Sequence, residues 1–337
     1  GDDTLTANPL QAKLTCPSID VLHQVESYRE LHAFATEDGN DTAQLSDEPT
    51  EESYVVSFHA LAGTEAKLFD GDRHGSPEEV NQVFLIRTSG FDSVTATAGP
   101  GDTALLYGTS GDDQYAGTAT QGSLTVPSGA VFTAASFEQI HSVAKGGKDN
   151  TAELVGSSEK ERFWGTRVYG RLAGSGWRQR LVRYNQLTAY GGGGPDVAEL
   201  FDTRFTDTFS GWPDECSYQA GRWEYRLQDF PVVRVNGEAA GTDTAHLYPG
   251  ASDTVRERTD AWVMSGDNCS IRVEKSFGTV EVDGSGAGLQ SALARPDEFS
   301  PQALSDRDLT MLALGLAHEG GTAETDDEEA AIDSVLQ

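Results

Sequence analysis

The sequence predicts an all-β repetitive fold, a β-solenoid of about 23 residues per coil, with a short helical segment at the C-terminus. Three observations predict it. A repeat of 46–47 residues runs along the chain, each repeat divides into near-equal halves, and apolar and polar residues alternate within short segments.

The repeat opens on an aromatic residue followed by alternating apolar positions. It reads Tyr28-Arg-Glu-Leu-His-Ala-Phe-Ala, Phe91-Asp-Ser-Val-Thr-Ala-Thr-Ala, Phe137-Glu-Gln-Ile-His-Ser-Val-Ala, Tyr184-Asn-Gln-Leu-Thr-Ala-Tyr-Gly, Phe230-Pro-Val-Val-Arg-Val-Asn-Gly and Phe277-Gly-Thr-Val-Glu-Val-Asp-Gly. The aromatics stand 63, 46, 47, 46 and 47 residues apart. A second element follows in five repeats: Asp41-Thr-Ala-Gln-Leu45, Asp102-Thr-Ala-Leu-Leu106, Asn150-Thr-Ala-Glu-Leu154, Asp196-Val-Ala-Glu-Leu200 and Asp243-Thr-Ala-His-Leu247. An acidic residue then leads the second half, at Glu52, Asp113, Glu161, Asp207 and Asp253.

Short strands bounded by Gly, Asn, Asp and Ser clusters suit coils that bury their apolar face only by stacking on neighbours. A β-propeller is the alternative, because its blades of four strands have a similar period. The chain opens on Gly1-Asp-Asp-Thr-Leu5, which aligns with Gly111-Asp-Asp-Gln-Tyr115, so it starts mid-repeat. That start predicts an uncapped first coil over residues 3–27, stacked on another polypeptide: a preceding fragment of one longer precursor, a partner subunit or a second copy. The first repeat carries about 17 extra residues, read as a loop near Leu68 to Glu79. The expected organisation is a repeat solenoid over 1–290, a linker over 291–304 and a helical, acidic tail over 305–337. In that tail Ser305-Asp-Arg-Asp308 reads as a capping box ahead of Leu309, Leu312 and Leu316.

Composition narrows the function classes. The 337 residues hold 54 Asp plus Glu against 24 Lys plus Arg, a formal net charge of −30. Such a field repels phosphate backbones and anionic lipid surfaces, so neither nucleic acid nor membrane insertion is expected. No apolar run approaches the ~18–20 residues of a helical membrane span. The three cysteines, Cys16, Cys216 and Cys269, show no ligand spacing and read as small buried residues.

Two sets of residues carry candidate chemistry. Phe163 to Tyr184 is the one basic and aromatic island; Trp164, Tyr169, Trp177, Arg178, Arg180 and Tyr184 are its candidate ligand-binding residues, able to stack and hydrogen-bond a sugar. The commoner reading of such residues is an arginine ladder pairing with neighbouring acids. The Gly-Asp-Asp-Thr strings are similar to calcium-binding nonapeptides, which makes Asp41, Asp102, Asp112 and Asp113 the candidate Ca²⁺ ligands. The competing role for these aspartates is capping of backbone N–H groups, and related turns are expected roughly 10 Å apart, too far to share an ion. His32 and His141 share one repeat position, a structural rather than catalytic recurrence. No catalytic residue is nominated, and no cofactor is expected beyond that calcium.

The consensus aromatic-x-x-Val-x-Ala-x-Ala-x-Gly-Gly-x-Asp-Thr-Ala-x-Leu-Tyr-Asp-Ser-x-Gly-Asp-Asp-Thr-Phe is carried best by Phe91 to Tyr115 and Tyr184 to Phe209. It resembles the tandem repeats of large secreted or surface proteins of planctomycete-type bacteria. The resemblance spans residues 1 to about 284 and implies an extracellular or cell-surface structural or adhesive module with no transferable active site. The alternatives carried forward are a carbohydrate-binding or polysaccharide-degrading β-helix and a calcium-binding repeat module.

Overall fold

The computed structural model describes residues 2–16, 21–35, 39–47, 56–61, 65–70, 84–203, 205–237, 242–283 and 288–291. One compact unit covers Gly1–Ser291. The second is Ala292–Gln337; the helical segment expected over 305–337 lies outside the described residues. The described residues are 59% strand, wound as a β-solenoid. Among them no helix is long and apolar enough to cross a membrane.

The thirty strands follow the repeat. The chain opens with β1 (Thr4–Ala7), β2 (Gln11–Cys16) and β3 (Val21–Glu26). The repeat from Tyr28 holds β4 (Glu30–Phe34), β5 (Thr42–Ser46), β6 (Val56–Leu61), β7 (Glu65–Asp70) and β8 (Leu85–Ser89). From Phe91 come β9 (Ser93–Thr97), β10 (Thr103–Tyr107), β11 (Gln114–Gly117), β12 (Gln121–Thr125) and β13 (Val131–Ala135). From Phe137 come β14 (Gln139–Val143), β15 (Thr151–Val155), β16 (Arg162–Gly165), β17 (Tyr169–Gly174) and β18 (Trp177–Val182). From Tyr184 come β19 (Gln186–Tyr190), β20 (Val197–Phe201), β21 (Asp207–Gly211), β22 (Glu215–Ala220) and β23 (Trp223–Gln228). The last are β24 (Val232–Asn236), β25 (Thr244–Leu247), β26 (Thr254–Glu257), β27 (Ala261–Ser265), β28 (Ser270–Glu274), β29 (Thr279–Val282) and β30 (Gly288–Ser291).

They form two 15-stranded sheets. The first runs from β29 to β3 and contains β9, β11 to β13, β15, β19 and β21 to β23; the second runs from β30 to β4 and contains β10, β14, β16 to β18, β20 and β24. Two continuous sheets with parallel pairing between coils exclude the propeller, whose blades are separate antiparallel sheets.

The two halves of a repeat are equal in length and unequal in structure. The first half winds as a coil, one strand in each sheet, and these single strands pair in parallel with neighbouring coils, as β15 does with β11 and β19. The second half is a three-stranded antiparallel meander lying in one sheet, as β16 to β18. The expected second coil is absent because tight hairpin turns reverse the chain in plane. Gly176 (φ 74°) and Gly221 (φ 59°) occupy two of these turns in the left-handed region that favours glycine. The extra residues of the first repeat start after Asp70: Leu68 to Asp70 belong to β7, and residues 71–83 lie outside the described residues.

After each meander the chain crosses to the opposite sheet, so successive repeats swap sheets. The residue before the aromatic turns each corner at positive φ: Ser27, Gly90, Ser136, Arg183 and Asp229. For a non-glycine residue that conformation costs about 1–2 kcal/mol, offset by the aromatic it delivers to the core. Phe91, Phe137, Tyr184, Phe230 and Phe277 are all buried, each worth roughly 1.5–3 kcal/mol. The Asp-x-Ala-x-Leu element has a matching logic. Its Ala and Leu, two apart on a strand, both face inward: Ala104 with Leu106, Ala198 with Leu200, Ala245 with Leu247.

Candidate functional site

Two places gather chemistry: the outer face of the second sheet and the corners between the sheets. On the outer face the alternation of β16 points Phe163 into the core and Trp164 outward. The Arg171 guanidinium lies 4.5 Å from the Trp164 ring centre and that of Arg162 5.2 Å from it, while Arg180 lies 4.5 Å from the ring centre of Tyr169. Glu199 Oε1 accepts hydrogen bonds from Arg162 Nη2 (2.9 Å) and Arg234 Nη1 (3.1 Å). Burial, with Arg178 and other guanidiniums close by, brings the pKa of Arg171 down to about 10.

Of the six island residues, Trp164, Tyr169, Arg178 and Arg180 share this face. Trp177 sits at the β17–β18 turn and packs against the core. Tyr184 faces inward: its hydroxyl lies 2.7 Å from Ser142 Oγ and burial pushes its pKa up. The island is the centre of a longer row. Strand register places Arg272, Arg234, Glu199, Trp164, Arg171, Arg180 and His141 side by side. The row continues through Leu105, His59, Lys67 and Arg87 to His32. Contiguous sequence reveals only its middle, because the other members come from strands dozens of residues apart. The signal that could have found them is the repeat position shared by His32 and His141, where the next repeat of the same sheet carries Arg234.

No family model, no curated protein and no solved structure matches this chain.

At several corners a buried acid or amide stands just before a strand and caps backbone N–H groups. Asp41 Oδ1 accepts from Asp3 N (2.7 Å) and Asp102 Oδ2 from Gly99 N (2.7 Å). Asp113 accepts from the N–H (2.8 Å) and hydroxyl (2.9 Å) of Thr109. Asp112 is exposed instead, and the N–H groups of Asp149 and Lys148 that it accepts hold its pKa down. All four sequence-nominated metal residues thus work as caps, the competing role named above.

The caps also link coils. Asn150 Oδ1 accepts from Asp113 N (2.8 Å), Asp196 Oδ1 from Glu161 N (2.6 Å) and Asp243 Oδ1 from Asp207 N (2.7 Å). These contacts join corners of different type; the separation of roughly 10 Å was expected for related turns about 46 residues apart. The first meander strand pairs in parallel with the next single strand, so corners 35 to 37 residues apart touch. One corner gathers more charge than the others. Oxygens of Asp202, Asp207 and Asp243 lie within 4.8 Å of one another, a grouping that could hold a metal ion. Its signal in the sequence is Asp202, standing where two of the equivalent corners have Gly108 and Gly156 and the others Asp47 and Tyr248.

Proposed function

We propose that this chain is a non-catalytic structural and adhesive module of an extracellular or surface assembly, and that it works by stacking its open end on another polypeptide. The observation that carries this reading is the character of that end. β3 and β4 are the terminal strands of the two sheets. Leu22, Val25 and Phe34 are exposed there at 57%, 44% and 70%. β3 reads Val-Leu-His-Gln-Val-Glu, with none of the lysines, prolines or bulges that keep natural edges from pairing. Supporting it, the carboxylates nominated from sequence are engaged in capping, and the faces of Trp164 and Tyr169 available to a sugar already hold arginines.

A second copy is the partner to test first. Sedimentation equilibrium should show association that tightens with protein concentration. It should also tighten with salt, which screens the repulsion between two chains of charge −30. Val25→Lys with Phe34→Lys should weaken it at least tenfold, since a charge on an edge strand opposes pairing. A chain that stays monomeric at every concentration and salt level would sink the second-copy form of the reading.

A further inference from the structure

We propose that the corner formed by Asp202, Asp207 and Asp243 binds a hard divalent cation, calcium by preference. The argument is a comparison with its sister corner at Gly108, Asp113 and Asn150. In both, the acid leading the meander is held alike: Thr203 gives Asp207 its N–H (2.7 Å) and hydroxyl (2.9 Å), as Thr109 does Asp113. In both, the next coil's cap accepts the N–H of that acid. The fold is therefore served by one carboxylate, an amide and a glycine.

The Asp202 corner departs at the two remaining positions, and both departures add a carboxylate. A side chain does not fit the sister position: a Cβ on Gly108 would stand 2.1 Å from Asp113 Oδ2. Here the aspartate side chain of Asp202 occupies that position. Asp243 is 1% exposed, and its Oδ2 is buried without a hydrogen-bond partner, although an oxygen of Asp243 belongs to the group within 4.8 Å. Sister Asn150 fills the corresponding place with a donor: its Nδ2 gives a hydrogen bond to the Gly146 carbonyl. Three carboxylates this close and out of water must share protons or recruit a cation. Their donors are all oxygen, which selects calcium or magnesium over zinc or copper. Calcium tolerates the irregular geometry of a turn better than magnesium does.

The test uses the whole chain and two variants that copy the sister corner, Asp202→Gly and Asp243→Asn. Tb³⁺, a calcium surrogate, should luminesce through Tyr218, whose hydroxyl lies 2.7 Å from Asp207 Oδ2. Calcium should displace it with a dissociation constant no weaker than ~1 mM. At a hundredfold excess over that constant, calcium should raise the wild-type Tm by roughly 5 °C over EDTA. Each variant should lose the luminescence and the calcium shift while melting in EDTA no lower than wild type. The proposal is overturned if wild type melts identically in calcium and EDTA, or if both variants bind as wild type does.

Discussion

The two sheets share one architecture and carry different outer faces. At the central strand position the first sheet lines up Glu153, Ala116, Ser123, Thr133, Thr95 and Gln44. The equivalent row of the second holds Glu199, Trp164, Arg171, Arg180 and His141. Because successive repeats swap sheets, one repeat position alternates along the sequence: His32, Thr95, His141, Thr188, Arg234, Glu281. The inward positions do not alternate, since both sheets face a single core. The difference teaches that the 46-residue period describes the core, while the outer surface repeats only every second unit.

The largest expected effect comes from Trp164. Trp164 is 8% exposed and held between guanidiniums. Trp164→Ala should destabilise the chain by about 3 kcal/mol through lost burial and cation–π contact. Thr133→Ala, in the equivalent row of the first sheet, removes the hydroxyl bond to Ser123 (2.9 Å) and should cost about 0.5–1 kcal/mol. Urea unfolding of both variants checks the ratio. Equal losses would mean the faces are interchangeable.

Glu199 should rank second. It is the acid of the cationic row, is 6% exposed, and bridges Arg162 and Arg234. Glu199→Gln leaves two guanidiniums without their charge partner, which should cost about 2 kcal/mol. Glu153→Gln, exposed on the first sheet, should stay within about 0.5 kcal/mol. Because Glu199 is buried, the gap should persist in ~0.5 M salt, where exposed pairs are screened.

How much of this was legible follows from where the information lies. The solenoid was, since Ala104, Leu106 and their repeat equivalents are inward residues fixed by a single core. The capping role of Asp102 and Asp113 was too, because a cap is local. The meander was not: a half-repeat of strand and turn has the same alternation whether its strands stack as coils or fold back in plane. Only turn chemistry at Gly176 and Gly221 separates the two. The grouping of Asp202 with Asp243, and of Glu199 with Arg234, depends on which strands become neighbours. That pairing was out of reach while the second half-repeat was read as a coil.

The smallest expected effect tests whether the difference between the faces extends into the corners. One corner entering the first sheet links Asp113 N to Asn150 Oδ1, and one entering the second links Glu161 N to Asp196 Oδ1. The bonds are equivalent, yet only the second partner titrates. Burial, with the Glu161 charge contributing, raises Asp196 from 3.8 to about 6. A carboxyl whose folded pKa lies above its unfolded value binds its proton more tightly in the native state. Its stabilising contribution is therefore complete below pH ~4 and lost as pH rises through about 6. Tm measured from pH 7 down to pH 4 should rise for wild type relative to Asp196→Asn, whose amide copies Asn150 and cannot titrate. Asn150→Asp should add a second step of the same sign, giving the first-sheet corner the pH response of the other. Parallel profiles for wild type and Asp196→Asn would mean that Asp196 does not hold its proton into this range, and that the two corners are electrostatically alike.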